Sequence, residues 1–352
     1  MIMRKITVDA SKTYDVIIEK GLIDRVGEYA KGVGIKGKAC IISDSNVAPL
    51  YMERVKNSLL ESGLLVCEYV FEPGEKSKTA ETFIDILNFL AENHISRKDT
   101  LFALGGGVVG DITGFCAATY MRGIKFVQIP TSLLSAVDSS VGGKTGIDLK
   151  SGKNLAGAFY QPEIVLFDPD VLHTLTEEYF ADGMAEVIKY AIIRGRGIEK
   201  LILEDTQKNL EEIITRCIEI KRDVVNEDEF EGGVRKILNF GHTAGHAIEA
   251  EGGYTLSHGR CVAIGMHIVT KAWEKRGLCE AGTCDVLEKM LKLFNLDTKC
   301  PYTPQVIVER AKNDKKADNM EVSLIVPAKV GECEVRKISM DEFLTVLKEG
   351  ME

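Results

Sequence analysis

Leu101-Phe102-Ala103-Leu104-Gly105-Gly106-Gly107-Val108-Val109-Gly110-Asp111 is the stretch on which the fold turns. An apolar run, a glycine loop and a helical pattern to about Met121 read as strand, loop and helix in that order. Backbone N–H groups and a helix N-terminus can meet a pyrophosphate in such a setting. Gly105, Gly107 and Gly110 fit G-x-G-x-x-G, a pattern that tight turns also satisfy. The dinucleotide fingerprint asks in addition for an acid about 20 positions later. That region here is Gln128-Ile129-Pro130-Thr131. An acid stands earlier, Asp44 in Ser43-Asp44-Ser45-Asn46, where either a turn or a nucleotide contact accounts for it.

Outward from this loop, further β-rich runs lie at 39–43, 64–71, 126–129 and 164–167, alternating with amphipathic segments as a parallel sheet with crossover helices requires. In 79–93, Phe83, Ile84, Leu87 and Leu90 are spaced to form one apolar helix face against that sheet. Beyond Asp168-Pro169 the pattern becomes helical, at 177–194, 198–225, 235–250, 258–275 and 283–294, with one hairpin-like pair at 322–327 and 332–338. The expected organisation is an α/β Rossmann-like domain over 1–175 and a mainly α-helical domain over 176–352. The acidic run 226–231 reads as a solvated loop.

The 352 residues, 45% hydrophobic and 28% charged, describe a globular chain. A net charge of −9 disfavours nucleic acid as a partner. No basic leader precedes an apolar core, and no apolar run reaches the roughly 20 residues of a membrane span. The expected location is therefore the cytoplasm. Nine cysteines without a C-x-x-C pair argue against a disulfide framework and a zinc ribbon.

Four of the six histidines lie between His242 and His267. Three of them, His242, His246 and His258, with Glu186 in Gly183-Met184-Ala185-Glu186-Val187-Ile188-Lys189, supply the nitrogen and oxygen donors of a catalytic Zn²⁺ site, which needs three ligands and an open position. His242 and His246 share a helix face by their spacing, either as a metal pair or as satisfied core residues. Glu186 and Lys189, three apart, read by themselves as a surface salt bridge worth little. His94, His173 and His267 read as structural. Val141-Gly142-Gly143-Lys144-Thr145 looks like the end of a P-loop, but Asp138 occupies the position of the required first glycine. Lys144 remains available to a phosphate by charge alone.

Several fragments together carry a resemblance over nearly the whole chain. They are Pro73-Gly74-Glu75-Lys76-Ser77-Lys78, the Gly105 loop, Tyr120-Met121-Arg122-Gly123, Pro130-Thr131-Ser132-Leu133-Leu134, Asp138-Ser139-Ser140-Val141-Gly142-Gly143-Lys144, Gly152-Lys153-Asn154, the Glu186 segment and Asn239-Phe240-Gly241-His242-Thr243-Ala244-Gly245-His246. In this order they resemble the 3-dehydroquinate synthases of the sugar-phosphate cyclase family. The resemblance implies an NAD-binding domain, a helical metal-binding domain and an active site in the cleft between them. It implies Zn²⁺, or another divalent ion such as Co²⁺, on Glu186, His242 and His258. His246, Glu231 and Lys189 become the catalytic residues. NAD contacts fall on Asp44, Asn46, Glu75, Lys78, Gly105, Gly106, Gly107, Asp111, Thr131, Ser132, Lys153 and Thr174. Substrate contacts fall on Arg122, Asp138, Lys144, Asn154, Lys189, Lys221, Arg235, Asn239 and Lys315.

The implied reaction converts 3-deoxy-D-arabino-heptulosonate 7-phosphate into 3-dehydroquinate and phosphate, in the route to aromatic amino acids, with NAD regenerated each turnover. Lys221, Arg235 and Asn239 are the expected complement to a substrate carboxylate. The partner is thus a small anionic phosphorylated molecule, and a homodimer is implied by the same likeness. A metal- and NAD-dependent polyol or glycerol-phosphate dehydrogenase, or another sugar-phosphate cyclase, is the rival reading.

Overall fold

The computed structural model describes residues 3–253, 255–314 and 321–352. It divides into two compact units, Met1–Leu175 with Lys221–Glu229, and Thr176–Ile220 with Phe230–Glu352. The second excursion departs from the expected simple split. Within the first unit the Asp9 amide donates to Asn226 Oδ1 at 2.8 Å, the Ser11 amide and hydroxyl donate to Glu229 at 2.7 and 2.6 Å, and Gln161 Nε2 donates to Glu229 at 2.8 Å. Part of the 226–231 run is therefore held by hydrogen bonds and is not the solvated loop its charge suggested.

The first unit contains β1 (Arg4–Asp9), β2 (Thr13–Ile18), α1 (Val26–Gly32), β3 (Lys38–Asp44), α2 (Ala48–Glu61), β4 (Leu65–Phe71), α3 (Ala80–Glu92), β5 (Thr100–Gly105), α4 (Gly107–Thr119), β6 (Lys125–Pro130), β7 (Lys144–Leu149), β8 (Gly152–Phe159) and β9 (Ile164–Phe167). Seven strands form one sheet in the order β1-β2-β9-β6-β5-β3-β4, parallel except for the β1–β2 pair. Strands β3, β5, β6 and β9 are apolar and almost wholly buried, as helices on both faces demand. From β3 the chain runs outward to β4, then returns to place β5 on the other side of β3. That reversal is a topological switch point, where open α/β sheets bind ligands at the carboxyl ends of their strands.

The apolar face of α3 differs by one residue from its sequence reading. Ile84 is 50% exposed, while Ile86 and Leu90 are fully buried with Phe83 and Leu87 packed beside them. Steps of three and four residues join 83, 86, 87 and 90; position 84 is rotated about 100° from that line.

The second unit contains α5 (Glu177–Arg194), most of α6 (Ile198–Glu227), α7 (His242–Glu251), α8 (His258–Lys275), α9 (Thr283–Leu293), α10 (Pro304–Asp314), the hairpin β10 (Glu321–Lys329) and β11 (Glu332–Ser339), and α11 (Met340–Met351). The expected helix 235–250 is broken in two. A 3₁₀ turn, Val234–Asn239, precedes Gly241 at φ 81°, and α7 starts at His242. Among the described residues, no helix is long and apolar enough to cross a membrane.

Candidate active site

At the switch point of the first unit, register places Ser43 beside Leu104 and Gly105 beside Pro130, so Asp44, the glycine loop and Thr131 stand at adjacent strand ends. Two of the loop glycines have a packing reason. A Cβ on Gly110 would lie 2.8 Å from Gln128 Oε1, so its absence lets α4 approach β6; one on Gly107 would lie 3.2 Å from Ser139 Oγ. No side chain caps the N-terminus of α4. Its first amides therefore face the loop as a phosphate cradle requires. Gln128, standing where an acid was sought, serves helix packing. The Asp44 carboxylate accepts from the Asn46 and Val47 amides at 2.9 and 3.0 Å. The turn reading is thus realised, and it fixes the carboxylate at the crevice.

A polar network adjoins the loop. Lys78 Nζ, 4% exposed with its residue, donates to Asp111 Oδ2 and Asn154 Oδ1, both at 2.6 Å. Burial alone would discharge this lysine, but Asp111 and Glu75 outweigh it and raise its pKa. Lys153 pairs with Glu75 at 3.3 Å, and the Asn154 amide donates to Asp148 Oδ1 at 2.7 Å. Glu75, Lys78, Asp111, Lys153 and Asn154, expected from separate fragments, are therefore one connected group. Asp148 was missed; a lone acid in a strand gives no sequence signal. Asp138 accepts from Lys221 Nζ at 2.7 Å, and Thr174 Oγ1 lies 2.7 Å from the Tyr51 hydroxyl. Lys144 opens β7 and is exposed; no helix follows it, in keeping with the failed P-loop pattern.

The second unit gathers the imidazoles. Glu186, 1% exposed on α5, turns Oε2 to Lys189 and Oε1 to His242 Nε2 at 3.6 Å and His258 Nε2 at 3.4 Å. The Glu186–Lys189 pair is buried on both sides, so the surface-bridge reading is overturned. The side chains around these positions are packed by α7 and α8. Four ligands at about 2.1 Å from a zinc ion sit about 3.4 Å apart in a tetrahedron. The two measured separations match that edge, and one carboxylate with two imidazoles is a donor set such an ion accepts. His246 is exposed, its ring centroid 5.2 Å from that of His242 and 5.9 Å from that of His258.

Glycines set these distances. A Cβ on Gly259 would meet the Asp182 carbonyl at 2.3 Å, and one on Gly265 the Gly241 carbonyl at 2.0 Å. Their bareness lets the start of α8 rest on α5 and α7 lie close to α8. The Gly259 amide donates to Asp182 Oδ1 at 2.6 Å, one helical turn before Glu186. His242 Nδ1 lies 3.0 Å from the Phe240 carbonyl, which as acceptor fixes the tautomer and leaves Nε2 bare. Burial, with Lys189 and the other histidines, drives His242 down to about 3 against the pull of Glu186. His258 behaves oppositely. Burial opposes its charge, yet Glu186 and Glu249 raise it to about 10. The two carboxylates favour a cation at this spot, and a bound ion would supply it.

Glu249, 4% exposed with Oε2 at 3.7 Å from His258 Nδ1, was not singled out from sequence. Its signal was its place on the helix of His242 and His246, three residues after the latter. Glu231 accepts from Asn239 Nδ2 at 2.7 Å. Arg235 is 1% exposed. Arg122, Asn154 and Glu231 hold φ of 68°, 55° and 61°, a region costly for such residues and often retained at functional positions. Lys315 lies outside the described residues.

Residues 68–182 match the family described as 3-dehydroquinate synthase N-terminal, and residues 183–317 the one described as 3-dehydroquinate synthase C-terminal. The chain belongs to the 3-dehydroquinate synthase family. A relative from Clostridium kluyveri, named 3-dehydroquinate synthase, is 43% identical over 94% of each chain. Among solved structures, 2-deoxy-scyllo-inosose synthase complexed with carbaglucose-6-phosphate, NAD+ and Co2+ superposes with a TM-score of 0.88 at 24% identity, covering 99% of this chain and 100% of that one. Glycerol dehydrogenase from Schizosaccharomyces pombe shares the fold more distantly, with a TM-score of 0.66 at 16% identity over 99% and 91% of the chains. These structures bear on the fold. Membership of the family rests on the sequence matches.

Proposed function

We propose that this chain is a phosphate-eliminating cyclase that converts 3-deoxy-D-arabino-heptulosonate 7-phosphate to 3-dehydroquinate and phosphate. The carrying observation is the buried Glu186, facing His242 and His258 at ligand spacing, in a chain that matches the 3-dehydroquinate synthase family from residue 68 to residue 317. We assign the divalent ion, Zn²⁺ or Co²⁺, to Glu186, His242 and His258, and NAD to Asp44, Asn46, Glu75, Lys78, Gly105, Gly106, Gly107, Asp111, Thr131, Ser132, Lys153 and Thr174. When bound, NAD⁺ supplies a temporary hydride acceptor and the ion a Lewis acid.

With both bound, a secondary alcohol of the substrate would be oxidised for a time, which would acidify the neighbouring C–H and let phosphate leave by elimination, before reduction, ring opening and an internal aldol would close the carbocycle. The residues then have separable tasks. His246, exposed beside the ligand histidines, exchanges protons with the substrate. Glu231 is the second proton-transfer group, its carboxylate oriented by the Asn239 amide. Lys189, paired with Glu186, orients that carboxylate and is the proposed cationic contact to substrate. Arg122, Asp138, Lys144, Asn154, Lys221, Arg235 and Asn239 are the proposed substrate contacts, the cations among them offsetting a substrate rich in negative charge.

The reading includes a cytoplasmic homodimer, checked by light scattering of the purified protein. A phosphate-release assay on the heptulosonate phosphate, with and without NAD⁺ and a chelator, tests the activity. Release that depends on both the nucleotide and the ion supports it. Faster turnover of a heptose phosphate lacking the carboxylate would instead assign the chain to another sugar-phosphate cyclase activity.

A further inference from the structure

We infer that His267, Cys284 and Glu288, on the seam between α8 and α9, form a second divalent-metal site that takes a borderline-soft ion such as Zn²⁺ or Co²⁺. One ligand atom from each lies within 4.8 Å of the other two. His267 Nε2 is 2.7 Å from Glu288 Oε1, and Cys284 Sγ is 4.0 Å from the same oxygen. Cys284 and Glu288 are four apart on α9, so one face carries both toward His267. His267 stands nine residues beyond His258 on α8, about 13 Å along the axis, so this set shares no ligand with the first cluster.

Burial distinguishes the set from a surface ion pair. His267 and Cys284 are 6% and 7% exposed, fixed by the packing of the two helices, while the Glu288 side chain is 49% exposed and gives an ion a way in. His267 Nδ1 is buried without a hydrogen-bond partner. With Nε2–H donated to Glu288, Nδ1 keeps a buried lone pair that no donor meets and that an ion can take. Nitrogen, sulfur and carboxylate oxygen together suit zinc or cobalt far better than magnesium or calcium. On binding, the Cys284 S–H bond breaks, the proton passes to solvent, and the sulfur's electron pair goes to the metal; no redox partner is needed. The ion ties α9 to the helix that carries His258.

The two sites can be told apart by sulfur. The Glu186, His242, His258 set contains none, so a thiolate-to-cobalt charge-transfer band in the near ultraviolet reports ligation by cysteine alone. The protein is titrated with Co²⁺ and followed by absorption and elemental analysis. The expected result is a band that grows with a second equivalent of cobalt. Cys284→Ser abolishes it and leaves the first equivalent bound. Glu288→Gln, at a half-exposed position, weakens the second equivalent at least tenfold. Absence of the band in the unmodified protein, or its persistence in Cys284→Ser, overturns the assignment. The outcome is independent of catalysis, so loss of the proposed cyclase activity would leave this site standing.

Discussion

In the first unit the polar groups around the glycine loop come from strand ends and a hairpin that the sheet sets side by side, whereas in the second Glu186, His242 and His258 come from three separate helices. The first site is held largely by backbone: the strand register, the uncapped start of α4, and an aspartate turn after β3. The second is held by close helix contacts at Gly259 and Gly265. The contrast teaches where damage should fall. Local substitutions in the first unit weaken one ligand by degrees, while a single substitution in the second can dissolve the whole cluster.

The largest expected effect follows from removing a ligand. His258→Ala should empty the metal site and lower phosphate release about a thousand-fold or more, the several kcal/mol of Lewis-acid stabilisation being lost. His246→Ala should spare the metal content and slow turnover; equal metal loss in both variants contradicts the division of roles. Elemental analysis alongside the rate separates the two.

Next is Glu249→Gln, which keeps the size of the side chain but removes the charge behind His258. Metal affinity should fall about 10- to 100-fold, as for other partners of ligating histidines. A chelator-competition titration reads this directly, and an unchanged affinity would show that Glu249 is a bystander.

Metal affinity should also depend on pH with the slope of a single proton. The ion needs neutral His258, whose metal-free pKa is raised to about 10, while His242, at about 3, is already neutral. Raising pH removes the competing proton, so affinity tightens by about tenfold per unit from neutrality upward and levels off near pH 10. A steeper slope would mean that His242 also carries a proton.

The smallest effect belongs to the first unit. Asp44→Asn retains a side-chain oxygen for the turn and should leave the melting temperature nearly unchanged. NAD affinity should drop about tenfold, the value of one charge-assisted hydrogen bond of roughly 1.5 kcal/mol. A binding isotherm beside a thermal melt decides whether Asp44 serves the nucleotide or only the turn.

These contrasts also explain what was legible in the sequence. Strands β3, β5, β6 and β9 could be read because burial on both faces leaves an unbroken apolar run, and the glycine loop because its parts are consecutive. The edge hairpin β1–β2 and the β7–β8 pair escaped, for their mixed residues carry no such run. The break before α7 escaped because the need for Gly241 at φ 81° arises from packing against α8. Likewise Lys189 looked like a surface cation, since only the fold buries it beside Glu186. The histidine spacing left His242 and His246 as equal candidates for the ion. It is the packing of α5, α7 and α8 that sets His242 and His258 against Glu186.

The most direct test of the account is the ratio of NADH formed to phosphate released during turnover of the heptulosonate phosphate with NAD⁺ and zinc. Transient oxidation predicts one phosphate for each substrate consumed, no net rise in NADH, and loss of the reaction on chelation. NADH accumulating in step with substrate loss would contradict it and assign the chain the chemistry of a dehydrogenase.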